Sequence, residues 1–113
     1  MHELSIAMSI IEVAEEEARK AGASVISKLE VEIGTLAGVE TDALAFCWDA
    51  AIRETMAGEA ELIIHNIEAQ AHCLDCGQLF TITNYFAECP SCKGNRYQVT
   101  KGKELRIKSL TVE

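Results

Sequence analysis

The chain has 113 residues, enough for one small domain or two very small ones. Its formal net charge of −8 argues against a nucleic-acid partner, because phosphate contacts supply most of that affinity. No window approaches the roughly eighteen unbroken apolar residues of a membrane span. The apolar start at Leu4 has no basic segment before it and runs into Glu12, Glu15, Glu16 and Glu17, so no secretory leader is expected. The expected compartment is a reducing cytosol.

Leu4, Ala7, Met8, Ile11, Ala14 and Ala18 recur at helical spacing, and Ile10 and Val13 widen the stripe. Glu15 with Arg19 and Glu16 with Lys20 are i,i+4 pairs in the favourable acid-first order. Gly22 is a natural stop, so a first helix is predicted from the N-terminus to about Ala21. Residues 28–33 alternate apolar and polar and predict a half-buried strand. Gly34 and Gly38 bracket a loop. Leu44, Cys47, Trp48, Ala51, Ile52 and Met56 predict a second amphipathic helix, closed by Gly58. Leu62, Ile63 and Ile64 centre a second strand. Leu105 and Ile107 begin a third, and Leu110 and Val112 have the opposite parity, which predicts a bulge near Ser109.

Between the second and third strands lie Cys73-Leu-Asp-Cys76 and Cys89-Pro-Ser-Cys92. Two C-x-x-C pairs at this spacing are the ligand set of a closed four-thiolate metal site. Each pair supplies two sulfurs from one tight turn. Gly77, Pro90 and Gly94 suit sharp knuckles, because Pro fixes φ and Gly tolerates φ > 0. Zn²⁺ is the expected occupant, folding the chain without catalysing anything. The rivals are a pair of disulfides or a rubredoxin-like iron site; a reducing compartment argues against the disulfides.

The expected fold class is therefore α/β, a small three-stranded mixed sheet with two helices, plus an inserted four-cysteine zinc-ribbon module. Residues 28–67 should make a right-handed parallel crossover. Residues 1–66 and 104–113 are expected to form one domain and 67–103 the module, tethered near 67–71 and 98–102. Residues 67–103 hold four basic side chains against three acidic, and the remainder six against fifteen, so the acidity belongs to the body.

The N-terminus is the second chemical feature. Initiator Met is normally retained before a large residue, so the mature chain should begin Met1-His2-Glu3. The Met1 amine, the His2 amide nitrogen and the His2 imidazole can chelate one metal through fused five- and six-membered rings. The fourth position is open to Glu3, through its amide or its carboxylate, or to a group from elsewhere. Nitrogen-rich planar coordination suits Ni(II) or Cu(II). Acid should weaken it, since protons compete for an imidazole and an amine with reference pKa values of roughly 6.5 and 7.8. The plain alternative is an incidental histidine at a frayed end.

Met1-His2-Glu3-Leu4-Ser5 opening a helix, Ile33-Gly34 followed by Val39-Glu40, and the paired C-x-x-C module together resemble the HypA/HybF family of hydrogenase nickel-incorporation proteins. The likeness spans essentially the whole chain. It implies a metallochaperone without enzymatic activity that helps load nickel into the large-subunit precursor of nickel–iron hydrogenase, working with a HypB-type GTPase. It also implies His2 as nickel ligand, with Met1 and Glu3 beside it and Glu40 as an acidic position approaching that site. Cys73, Cys76, Cys89 and Cys92 become structural zinc ligands, and nickel the cargo. Some relatives place a histidine in the module; here His72 precedes Cys73, but none accompanies Cys89 or Cys92, so no ligand switch is expected.

His72 is expected to face solvent, His65 to be packed or at a sheet edge, Cys47 to be a small buried hydrophobe, and the acidic run at 12–17 to be a solvated face. A monomer or weak homo-oligomer is expected. The alternative function is a zinc-ribbon adapter for protein contacts in which His2 does nothing. No nucleophile–base pairing or phosphate loop supports an enzyme.

Overall fold

The computed structural model describes residues 2–113; the expectations for Met1 lie outside the described residues. The elements run α1 (His2–Lys20), β1 (Ile26–Gly34), α2 (Thr41–Ala51), β2 (Glu61–Ile67), β3 (Gln70–Cys73), β4 (Leu79–Thr81), β5 (Tyr97–Lys101) and β6 (Leu105–Val112). Two three-stranded sheets result, ordered β2-β1-β6 and β4-β3-β5. The chain divides into two compact units. The first contains the described residues up to Val31, Val39–His65 and Arg106–Glu113; the second contains Glu32–Gly38 and Asn66–Leu105.

In the first unit α1 buries Glu3, Ala7, Ile10, Ile11, Ala14 and Ala18. The buried stripe is rotated from the predicted one: Met8 and Val13 are more than half exposed. Three alanines on the buried face have no exposed surface and let α1 approach α2 closely, which turns the larger flanking residues outward. The helix stops as predicted. Gly22 lies at φ 73°, its N–H donates to Arg19 O (3.0 Å) and Ala23 N–H donates to Ala18 O (3.0 Å), a Schellman closure.

The second helix is shorter than its apolar pattern. Ile52 caps it, Glu54 turns left-handed at φ 60°, and Met56 falls beyond it. Thr55 explains the early stop. Its hydroxyl donates to Ile52 O (2.6 Å) and accepts from Ala57 N–H (3.2 Å), a local alternative to helical bonding. The acidic run is also not uniform. Glu12, Glu16 and Glu17 are exposed, whereas Glu15 accepts the Met56 N–H at 3.0 Å and ties α1 to this turn.

The sheet β2-β1-β6 is mixed. Val25 and Glu113 exchange N–H···O bonds and Gly34 N–H donates to Glu104 O, so β1 and β6 run antiparallel. Glu30 meets His65 and, further along both strands, Thr35 N–H reaches Ile67 O, so β1 and β2 run together. The parity slip between Ile107 and Leu110 has a counterpart between Ile26 and Leu29 of β1, both buried. Equal lengths of chain separate the paired ends, so the two irregularities cancel and each strand keeps its apolar residues on one face.

Glu30 links all three strands. Its Oε1 lies 2.8 Å from His65 Nε2 and its Oε2 accepts the Ser109 hydroxyl at 2.8 Å. Those bonds, His65 first and Ser109 second, hold its carboxyl below the ordinary 4.5. A carboxyl depressed in the fold contributes stability that is full above 4.5 and fades as pH falls through the lower folded value. Glu30→Gln should therefore lower the denaturation midpoint at pH 7, and the gap from the parent chain should close in strong acid. Urea titrations at both pH values measure it.

The second unit is built on close backbone packing. Thr35 N–H donates to Ile67 O, Leu36 N–H to Gly102 O and Ala69 N–H to Thr35 Oγ1. Leu36 joins Ala87, Tyr97 and Val99 around a buried cluster of Ala69, Ala71, Cys73, Phe80, Ile82 and Cys89. A Cβ on Gly34 would stand 2.0 Å from Gly102 O, and one on Gly102 would stand 2.4 Å from Ala69 Cα. Backbone cannot give way as a side chain can. Gly34→Ala is expected to destabilise by about 3 kcal/mol, read as a shift of the denaturant midpoint.

Candidate metal centre

Two knuckles of one design carry the cysteines. In the first, Gly77 N–H donates to Cys73 O (3.0 Å) and Cys73 N–H to Gln78 O (2.9 Å). In the second, Lys93 N–H donates to Cys89 O (2.9 Å) and Cys89 N–H to Gly94 O (2.8 Å). The residue after each second cysteine must turn left-handed: Gly77 at φ 82° and Lys93 at φ 64°. The conformational role expected of Gly94 thus falls to Lys93, a non-glycine. At Gly94 a Cβ would stand 2.7 Å from Asp75 Oδ2 and 3.2 Å from Cys92 Sγ, so a larger residue there would displace the Asp75 carboxylate. Asp75 is held in turn by Arg96, whose Nη2 donates to Oδ1 at 2.8 Å.

The four sulfurs converge. Cys73, Cys76, Cys89 and Cys92 place their Sγ atoms within 4.8 Å of one another. Cys73 to Cys92 is 3.6 Å and Cys76 to Cys89 is 3.5 Å. A tetrahedron with metal–sulfur bonds of about 2.3 Å separates its corners by about 3.8 Å. No S–S bond forms, and all four are free thiols. The donor set is soft and closed, which fits Zn²⁺ and excludes hard cations such as Mg²⁺. Main-chain donors complete it: Ser91 N–H points at Cys89 Sγ and Gly94 N–H at Cys92 Sγ, both at 3.4 Å.

The thiols are electrostatically unequal. The Cys92 N–H, then that of Ser91, draw Cys89 down to about 7 against burial. The Gln78 N–H pulls Cys76 down too, but sharing a proton with Cys89 together with burial pushes it up to about 12. Cys73 is lowered, chiefly by the Cys76 N–H; Cys92 is raised by Cys73 and burial despite the Gly94 N–H. A dication takes the place of thiol protons and lets all four sulfurs ionise.

At the other predicted site, His2 is exposed at the head of α1 and Glu3 is buried, 8% exposed. Glu3 Oε2 lies 3.5 Å from His2 Nε2 and accepts the Glu40 N–H at 3.4 Å. Glu40 is the N-cap of α2, its side chain exposed and making no cap bond. The structure thus brings His2, Glu3 and the Glu40 main chain together. The Glu40 carboxylate is not among those contacts. Apart from the four cysteines, no three His, Cys, Asp or Glu side chains converge among the described residues. His65 is bound to Glu30, and Cys47 is buried with its thiol toward Leu44 O at 3.5 Å. His72 is half-buried in β3, not fully solvent-facing, because Leu79 and Gln98 flank it across the sheet.

Residues 1–112 match the family model described as "Hydrogenase/urease nickel incorporation, metallochaperone, hypA". The chain belongs to the HypA family. It is 47% identical over 113 residues to the hydrogenase maturation factor HypA of Chlorobaculum parvum, covering all of both chains. It is 46% identical to that of Parabacteroides distasonis, covering 100% of this chain and 98% of the relative. The solution structure of the Ni metallochaperone HypA from Helicobacter pylori superposes with a TM-score of 0.69 at 26% identity, covering 97% and 96% of the two chains. Another HypA solution structure gives 0.72 at 27% identity, covering 100% and 97%. The protein is therefore a nickel metallochaperone of hydrogenase maturation, not an enzyme.

Sequence reasoning missed the main-chain donors to sulfur, the left-handed Lys93, and the inclusion of Leu36 in the core around the cysteines. A signal existed for the second of these. The two knuckles align residue for residue, and Gly77 falls opposite Lys93.

Proposed function

We propose that Ni(II) is held at the N-terminus by the Met1 amine, the His2 amide nitrogen and the His2 imidazole, with Glu3 beside them and Glu40 as the acidic neighbour. The supporting observation is the environment of His2. Its imidazole is exposed, and its Nε2 is the nitrogen that faces the buried Glu3 carboxylate. A proton kept on Nε2 by that carboxylate leaves Nδ1 with its lone pair, and Nδ1 is the nitrogen that closes a six-membered chelate with the residue's own amide. Glu3 in turn is anchored by the Glu40 N–H. Side chains at this end provide too few donors for a cage, so main-chain nitrogen and the terminal amine must supply the rest.

In this reading zinc occupies Cys73, Cys76, Cys89 and Cys92 and contributes folding energy to the module of residues 67–103. Nickel bound on the surface of the domain formed by 1–66 and 104–113 stays open to an incoming ligand. It passes, in a protein complex, to the hydrogenase large-subunit precursor, with a HypB-type GTPase assisting. Capture requires nickel affinity above that of the cytosolic pool and below that of the acceptor site.

A cell whose own HypA gene is deleted tests the role. The native chain should restore hydrogenase activity at limiting nickel. His2→Ala should fail there and recover when the medium carries excess nickel. Equal activity of the two proteins at limiting nickel would remove the proposed site.

A further inference from the structure

Four of the chain's six aromatic side chains, Phe80, Tyr85, Phe86 and Tyr97, fall between residues 80 and 97 of the second unit. Phe80 and Tyr97 form an edge-on pair with centroids 6.0 Å apart and belong to the core around the cysteines. Tyr85 and Phe86 do not. Phe86 is 98% exposed and Tyr85 52%. Two hydrogen bonds hold the loop that presents them: Phe86 N–H donates to Asn84 Oδ1 at 2.7 Å, and the Tyr97 hydroxyl donates to Tyr85 O. Together with Val99, Asn95, Glu88 and Lys103 these residues line a groove of 740 Å³.

The groove runs beside an unpaired strand edge. On the β4 side, Ala69 just before β3 and Cys73 at its end bond to Ile82 and Gln78. On the β5 side, Leu74 just after β3 donates its N–H to the O of Arg96 just before β5, in register with the His72–Gln98 pairing. Main-chain groups alternate in direction along a strand. Those of Arg96 and Gln98 therefore turn inward, and those of Tyr97 and Val99 turn outward to the edge that no strand covers among the described residues. Lys101 and Lys103 flank this edge. Neither has an ion-pair partner among the described residues, and the Lys103 ammonium sits 5.6 Å from the Tyr85 ring centroid. The nearby acids are Glu88 and Glu104, and the Glu104 carboxylate already accepts the Gly102 N–H.

Lysines alone at a sheet edge are an ordinary guard against unwanted pairing. A fully exposed phenylalanine beside them is not, because it invites the contact the lysines would repel. We propose that the outer edge of β5 and the ledge formed by Tyr85 and Phe86 dock an extended acidic segment of a partner protein by strand addition. Main-chain bonds form to Tyr97 and Val99, an apolar side chain of the segment lies against Phe86, and its carboxylates face Lys101 and Lys103. The two lysines favour an acidic segment, and this chain's own acidic run is folded into α1, so a second copy does not present it as a strand. The site is distinct from the nickel reading, and its test needs no nickel.

The probe is a synthetic decapeptide of alternating Glu and Val, titrated into the zinc-loaded full chain while amide NMR signals are followed. Saturable shifts are expected at Tyr97, Val99, Tyr85, Phe86 and Lys103, with tenfold or weaker binding to Phe86→Ala and Lys103→Glu. Both side chains are exposed, and unchanged zinc content confirms that the variants fold. The same peptide with Lys in place of Glu, or with alternate amides N-methylated, should not bind. Equal binding of either control, or no saturation with the acidic peptide, would overturn the proposal. So would sedimentation showing a dimer that Phe86→Ala dissolves, which would assign the face to a second copy. Retention on phosphatidylglycerol vesicles through the same residues would assign it to a membrane and overturn it equally.

Discussion

Replacing Cys89 with alanine is expected to unfold the second unit while leaving α1 and α2 in place. Magnitudes decide this. The buried cluster around the sulfurs contains two large apolar side chains, Phe80 and Ile82, beside small alanines, with Leu36, Tyr97 and Val99 partly buried against it. Burying each contributes about 1.5–3 kcal/mol. A structural zinc bound by four thiolates contributes about 10–16 kcal/mol. Metal binding is therefore worth at least as much to this unit as apolar burial, and a site short of one sulfur forfeits most of that stabilisation. Cys89 is fully buried, its N–H donates to Gly94 O, and its sulfur receives the Ser91 N–H, so its loss also opens the second knuckle. Hydrogen exchange is the measurement. Amides of β3, β4 and β5 should exchange freely, those of α1 should keep their protection, and zinc should fall well below one equivalent. Protected β5 amides in the metal-free variant would contradict the account.

The second large effect is expected from two residues, Gly-Ser, added ahead of Met1. Such an extension converts the amine into an amide and removes one ring of the proposed chelate. Nickel affinity should fall by more than the roughly 10–100-fold that loss of an outer-shell partner produces. On the proposed reading the carboxylate orients the imidazole, so Glu3→Gln should fall inside that range; an amide oxygen still accepts the Glu40 N–H. Zinc content should be unchanged in both proteins. Isothermal titration with nickel separates the cases, and identical losses would mean that Glu3 is itself a ligand.

The sequence and the structure agree most closely where one local interaction dominates. Gly22 ends α1 because an αL residue closes the helix whatever surrounds it. The C-x-x-C pairs converge because a turn fixes each pair and the sheet β4-β3-β5 brings the turns together. Agreement weakens where two local tendencies compete. The apolar pattern carries α2 on to Met56, but Thr55 bonds to Ile52 and stops it. It fails where tertiary packing decides. Met8 fits the apolar stripe by spacing and is exposed all the same, since Ala7, Ala14 and Ala18 set the face that meets α2. Glu15 looks like its acidic neighbours, and nothing local reveals that the Met56 N–H lies across from it. The candidate nickel end shows the same limit. His2 and Glu3 are conspicuous in sequence, but which imidazole nitrogen faces the carboxylate is a property of the fold.

The most direct test is nickel titration of the untagged, zinc-loaded chain, with both metals quantified after gel filtration and His2→Ala carried in parallel. One nickel and one zinc are expected per native chain, and zinc alone in the variant. Nickel retained by His2→Ala with undiminished affinity, or nickel bound at the expense of zinc, would contradict the proposed division between a nickel terminus and a zinc staple.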